Sequence, residues 1–133
     1  MAKSRLQPQP VLCACGSGTV YEQCCGRYIS GQEYAPDAQS LMRSRYTAYT
    51  LEDEAYLQRT WHPRSRPELN LAQQVPCKWL GLQILAHHQQ DATATVEFVA
   101  RYKVGGRAQR LHEVSRFERE DGQWFYVTGE FPE

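Results

Sequence analysis

From Lys78 onward the apolar pattern changes to a period of two, cleanest from Thr93, whereas between Asp37 and Trp61 apolar residues fall three and four apart. The chain therefore switches from helical to strand periodicity near its middle. Asp37, just after Pro36, suits an N-cap, and Ala38, Leu41, Met42, Tyr46 and Tyr49 then mark one apolar helical face. Thr50-Leu51-Glu52-Asp53 has the form of a capping box, which predicts a second helix that starts there, carries Tyr56, Leu57 and Trp61, and stops before Pro63. Pro63, Pro67 and Pro76 among polar residues make the stretch from 63 to 76 a connecting loop.

In the strand half, Trp79 to Gln89 is apolar enough for a long strand. Thr93 to Val104 alternates cleanly, with Val96, Phe98, Ala100, Tyr102 and Val104 on one face. Gly105-Gly106 supplies a two-residue hairpin turn. A third strand over Arg110 to Glu120 puts Leu111, Glu113, Ser115 and Phe117 on one face, and Asp121-Gly122 turns it into a fourth over Gln123 to Thr128. Helices followed by a meander predict an α+β domain, the helices covering one face of an antiparallel sheet.

Length and composition narrow the classes. The chain has 133 residues, room for about one ordinary domain, and its 41% hydrophobic and 11% aromatic content is enough for a core. Lys+Arg and Asp+Glu both number 15, a balance that argues against a DNA-wrapping protein. No run approaches the roughly 20 apolar residues of a membrane span, and the polar first ten residues do not read as a secretory signal. The expected location is the cytoplasm, where thiols stay reduced, so five cysteines call for a reading other than a disulfide framework.

Four of those cysteines, Cys13, Cys15, Cys24 and Cys25, lie in one short loop and offer the soft donors that a tetrahedral zinc site uses. Gly16, Gly18 and Gly26 let the backbone turn tightly beside them, so that N–H groups can face the sulfurs, and Arg27 can offset thiolate charge. A set of buried reduced thiols or a redox pair is the alternative, although the Cys-x-x-Cys of thioredoxin-like sites is absent. Four ligating cysteines leave no open coordination position, which makes the ion structural. Cys77, far from the cluster beside Trp79, reads as a core residue.

The run Cys13-Ala-Cys15-Gly16-Ser17-Gly18-Thr-Val-Tyr21-Glu-Gln-Cys24-Cys25-Gly26 resembles the SEC-C motif, known from the zinc-binding tail of the preprotein translocase motor SecA. Leu41-Met42-Arg43-Ser44-Arg45-Tyr46, Thr60-Trp61-His62-Pro63, Trp79-Leu80-Gly81-Leu82, His112-Glu113-Val114-Ser115-Arg116-Phe117 and Gly122-Gln-Trp124-Phe-Tyr126 resemble the YchJ family of uncharacterised bacterial proteins. That resemblance implies a leader and zinc motif over 1–31. It further implies a domain similar to nuclear transport factor 2 over 32–133, a cystatin-like cone in which a curved sheet wraps around helices. It makes Cys13, Cys15, Cys24 and Cys25 the Zn²⁺ ligands. It also implies an adaptor that meets a translocation, chaperone or ribosome-linked protein through the zinc motif. Several proteins of this fold dimerise through the sheet, which is consistent with a homodimer.

An alternative puts a small-molecule site inside the cone. Glu113 and Ser115 share a strand face with Leu111 and Phe117, so a carboxylate can point into an apolar cavity, and His62 and Tyr126 are the residues to set across from it. The competing structural reading pairs Glu113 with Arg43 or Arg45, bonds the His62 imidazole to backbone at a helix stop, and uses Trp124 and Tyr126 as strand anchors. His87 and His88 read as surface residues. Arg101, Lys103, Arg107, Arg110, Arg116 and Arg119 lie on two neighbouring strands, a stripe suited either to a solvated face or to an RNA or ribosome contact. The sequence alone leaves catalysis undecided, and the non-enzymatic adaptor is the preferred reading.

Overall fold

The computed structural model describes residues 11–71, 74 and 76–132. The first ten residues of the expected leader lie outside them. A 3-10 turn over Tyr21–Gln23 and α1 over Gly26–Ile29 come first. They are followed by α2, Ala38–Leu51, and α3, Glu54–Arg59. Four strands complete the chain: β1 Lys78–Gln90, β2 Thr93–Val104, β3 Arg107–Glu120 and β4 Gln123–Glu130. The strands pair antiparallel in sequence order, so the sheet is the expected meander and the fold α+β.

Asp37 caps α2 as its position predicts, its Oδ1 accepting from the Ser40 N–H at 2.7 Å. The second helix starts later than the capping-box pattern suggested. Thr50 belongs to α2 and spends its hydroxyl on the Thr47 carbonyl at 2.6 Å. The break falls at Glu52, in the left-handed region at φ 56°, and Asp53 caps α3 by accepting from Tyr56 N–H at 3.0 Å. Beyond α3 the chain runs beside the edge strand: Tyr126 N–H donates to the Thr60 carbonyl and His62 N–H to the Tyr126 carbonyl, both at 2.8 Å.

The three hairpins turn in two residues each. Asp91-Ala92 makes the first, with Asp91 at φ 55°, a turn that the chain's Gly-containing pairs at 105–106 and 121–122 do not foreshadow. Register shifts after Trp79 and after Ile84 leave Leu80 and Leu85 as extra residues in β1, both 45% exposed. Such bulges bend and twist a strand, and each reverses which face the next side chain takes. This is why the Trp79 to Gln89 stretch shows no clean alternation. It is also why His87, expected at the surface, sits opposite inward-facing Val96, half-buried with Nε2 lacking a protein partner among the described residues. A third shift in the β3–β4 ladder leaves Val127 as the extra residue.

Trp124, Phe117, Leu41, Leu57 and Val96 are the largest fully buried side chains, packed where α2 and α3 meet the inner face of the sheet. Cys13, Cys15 and Cys25 belong to the same apolar cluster, so the N-terminal motif shares the core of the sheet and helices. The basic stripe divides by strand alternation. Arg101 lies directly opposite Arg110, and Lys103 opposite Lys78, on the outer face. Arg107 and Arg119 fall on the other face, where Arg119 lies over the Trp124 ring.

One glycine decides where the inner face carries its charge. Gly129 pairs with Ser115, and a Cβ added to it would lie 2.1 Å from Glu113 Oε2. The carboxylate occupies the space that any other residue at 129 would fill. Gly129→Ala is therefore expected to cost about 1–3 kcal/mol of stability, read as a lower urea midpoint, by forcing the carboxylate off its partners. In a Glu113→Ala background the same change should be neutral or slightly stabilising; an equal cost in both backgrounds would refute this account of Gly129.

Candidate functional sites

The four-cysteine motif is compact because its turns are tight. Leu12 bridges Val20, Cys13 N–H donates to the Thr19 carbonyl at 2.9 Å, and Gly16 takes φ 83° in the turn between. The 3-10 turn and α1 then carry Cys24 and Cys25 back over the first pair, an ordering that the loop-like composition did not suggest. Gly26 allows this return, since a Cβ there would lie 2.8 Å from the Tyr21 carbonyl oxygen.

The Sγ atoms of Cys13, Cys15, Cys24 and Cys25 all lie within 4.8 Å of one another, and those of Cys15 and Cys24 are 3.6 Å apart. An ion with metal–sulfur bonds of about 2.3 Å in a tetrahedron needs sulfur–sulfur edges of about 3.8 Å, so these four residues can hold one. The hydrogen bond from Cys25 draws the Cys15 pKa down to about 4, while that same bond and burial push Cys25 up, and burial raises Cys24. A divalent ion would relieve this crowding by stabilising all four thiolates together.

Groups around the sulfurs complete the motif. The Ser17 hydroxyl meets Cys24 Sγ at 3.1 Å, and Thr47 on α2 donates its hydroxyl to Cys25 Sγ at 3.3 Å while lying 3.6 Å from Cys13 Sγ. Arg43, one turn earlier on α2, donates to the Cys15 carbonyl at 3.0 Å. Arg27 bonds the Cys24 carbonyl and the Tyr28 hydroxyl beside the motif. Thr47 had no sequence signal as a sulfur partner, because nothing in its helix spacing marks it.

Across α2 lies a cavity of about 340 Å³ between the helix and the inner sheet face. Its walls are mainly aromatic. Trp79 packs on Tyr46, Tyr49 and Tyr102 with ring centroids 5.3–5.9 Å apart, and Trp61 stands edge-on to Tyr126 at 4.8 Å. Among these apolar walls sit Arg45, Glu113 and Ser115. Glu113, 7% exposed, uses one oxygen twice: Oε2 accepts from the Ser115 hydroxyl at 2.7 Å and from the Tyr126 hydroxyl at 2.9 Å. Burial and the neighbouring carboxylate push the Tyr126 pKa upward, so the phenol keeps its proton and donates.

Arg45, named from the sequence as a possible partner of Glu113, lies in this wall without that ion pair. It is 3% exposed and donates through Nη1 to the Leu57 carbonyl at 2.9 Å and to Thr60 Oγ1 at 2.7 Å. Its guanidinium lies 4.6 Å from the Tyr126 ring centroid and 5.1 Å from that of Trp61. Burial pulls its pKa down, although a guanidinium stays charged at neutral pH. No carboxylate lies within ion-pair distance of it among the described residues. The sequence held one signal for Arg45: it falls within the apolar stripe of α2, between Leu41, Met42 and Tyr46, Tyr49.

The structure brings together Glu113 and Tyr126 but not His62. The His62 ring bonds Glu120 through Nε2 and accepts the Arg64 N–H at Nδ1, at the far end of β3 from the cavity. His62, Glu118 and Glu120 form a second group of metal-type donors, but Arg64 already pairs with Glu118 through both of its terminal nitrogens, Nη1 and Nη2. The expected pairing of Glu113 with Arg43 or Arg45 is absent; Arg43 serves the cysteine motif and Arg45 the α3 terminus. Cys77 is exposed at the cavity edge, not buried in the core, because β1 begins only at Lys78. Trp124 is the buried strand anchor expected, with 2% exposure. No helix among the described residues is long and apolar enough to cross a membrane.

Comparison with known proteins places this architecture. A family model for the YchJ middle NTF2-like domain matches residues 37–129, and a SEC-C motif model matches residues 11–27. A UPF0225 protein of Bordetella parapertussis is 53% identical over 124 residues, spanning 91% of this chain and 93% of that protein. A UPF0225 protein of Chromobacterium violaceum is 52% identical over 133 residues, spanning 96% and 97%. The solution structure of a SEC-C motif containing protein from Rhodopseudomonas palustris superposes with a TM-score of 0.83 at 36% identity, covering 91% of this chain and 98% of that one. A crystal structure of a SEC-C motif containing protein from Psychrobacter arcticus shares the fold, with a TM-score of 0.74 at 24% identity over 94% and 84%. With its cysteine motif joined to a curved sheet over helices, the chain belongs to the YchJ (UPF0225) family.

Proposed function

We propose that this protein binds a small molecule in its cone, and that Cys13, Cys15, Cys24 and Cys25 hold a structural zinc ion supporting the wall helix. The observation that carries this reading is the aromatic-walled cavity onto which two buried charged side chains, Arg45 and Glu113, both open. Burying a charge is costly unless something compensates it. Apolar walls with a few convergent polar groups are the usual form of a ligand site. Four thiolate donors and no open position suit zinc as a fold-stabilising ion, whose role is to fix the N-terminal motif against α2.

A second reading, the protein-docking role that the SEC-C resemblance implies, draws on Val11 and Leu12, which are 71% and 61% exposed on the cysteine motif. Its partner would be a translocation, chaperone or ribosome-linked protein of the cytoplasm.

Protein produced in zinc-replete, reducing medium should carry about one zinc per chain, and Cys24→Ser should lose it; wild-type protein free of zinc by metal analysis would remove this part. Titration with 2-naphthol should give saturable amide shifts at Trp79, Tyr102 and Leu111, and Ala100→Leu, which fills the cavity, should weaken binding at least about tenfold. Shifts scattered over the surface, or unchanged affinity in the filled variant, would count against the cavity. For the docking role, Leu12→Asp should lose the captured partner in lysate while keeping its metal; equal capture by both forms would exclude that surface.

A further inference from the structure

The cavity's polar groups are only half used. Both hydroxyl donors to Glu113 converge on Oε2, and among the described residues nothing donates to Oε1. Arg45 bonds through Nη1 alone, leaving Nε and Nη2 without a protein acceptor among the described residues. The walls thus offer one strong acceptor and a group of donors within aromatic surroundings.

The charges limit what can enter. Arg45 and Glu113 are the two charged residues lining the cavity among those described, and they cancel. A ligand with a single charge would be stripped of water and brought against a residue of its own sign as well as one of the opposite sign. A ligand with hydrogen-bonding groups but no net charge meets neither penalty and satisfies both idle groups.

We infer that the cone selects an uncharged, flat aromatic molecule bearing adjacent N–H and C=O groups, such as a lactam ring, its N–H donating to Glu113 Oε1 and its carbonyl accepting from Arg45. The inference rests on the cavity being the ligand site. The flat rings of Tyr46, Tyr49, Trp61, Trp79 and Tyr102 supply stacking surfaces for such a frame. Gly129 serves this selectivity indirectly, since it leaves the room in which the carboxylate is held at the cavity wall.

Three probes of equal ring size separate the possibilities by calorimetry: quinolin-2(1H)-one, naphthalene-2-carboxylate and 2-naphthylmethylammonium. Wild-type protein should bind the quinolinone at least about tenfold more tightly than either ion, since a site with buried donors and acceptors rejects partners that leave them unpaired. In Glu113→Gln the Ser115 and Tyr126 hydroxyls still hold the side-chain oxygen, so an NH₂ group replaces the acceptor and Arg45 loses its counter-charge. The order should then reverse, with the carboxylate gaining and the quinolinone losing about tenfold each. A wild-type protein that prefers either ion, or binds all three alike, overturns the inference while leaving the cavity as the ligand site. Failure of all three and of 2-naphthol to bind overturns both. The wild-type ranking stands as a test even if the variant does not fold.

Discussion

Helix α2 is held on two sides at once, and the rest of the molecule is arranged around that restraint. Thr47 and Arg43 tie it to the sulfur-rich motif. Met42, Arg45, Tyr46 and Tyr49 form part of the cavity wall opposite the sheet. A 14-residue helix with eight buried residues has little face left for water. Its stability comes from packing on both sides and much less from its own sequence, which includes β-branched and aromatic residues of modest helix propensity.

The cavity shows how a small domain keeps charge inside. Arg45 is compensated piecemeal, by two oxygens from the end of α3 and by the faces of two aromatic rings. Glu113 is compensated by two hydroxyls. Neither relies on the other as a direct ion pair, so each keeps hydrogen-bonding capacity beyond the bonds it makes. A closed Arg–Glu bridge would have been electrostatically quieter but would have used up that capacity.

Much of this was legible in the sequence, and the failures have physical causes. Strand and turn positions followed from alternation and from Gly105-Gly106 and Asp121-Gly122, because side-chain period and positive φ are local properties. The first strand was harder to read in phase, since two bulges each shift the pattern by one residue and no local signal marks Leu80 or Leu85 as the extra ones. The cysteine grouping was legible from spacing alone. Strand alternation put Glu113 and Ser115 on one face, but it named Tyr126 and His62 alike as residues to set across from them, and only Tyr126 is there, because where a loop returns against a sheet edge depends on tertiary packing. Arg45 was named only as a partner for Glu113, and its real partners were hidden for a related reason: a charge on an apolar helical stripe can snorkel outward or stay inside, and the groups that decide this are distant in sequence.

The outer face of the sheet carries a different constraint. At one end Lys78 faces Lys103 and Arg101 faces Arg110 across neighbouring strands, all four exposed and outside any ion pair among the described residues. Like charges placed directly opposite weaken strand pairing slightly. A two-fold contact centred there would set these cations against their own copies, so self-association through that end of the sheet is electrostatically opposed and eased only by salt. The sheet therefore has a built-in polarity: one end of its exposed face carries an unbalanced positive charge, even though the chain as a whole is neutral.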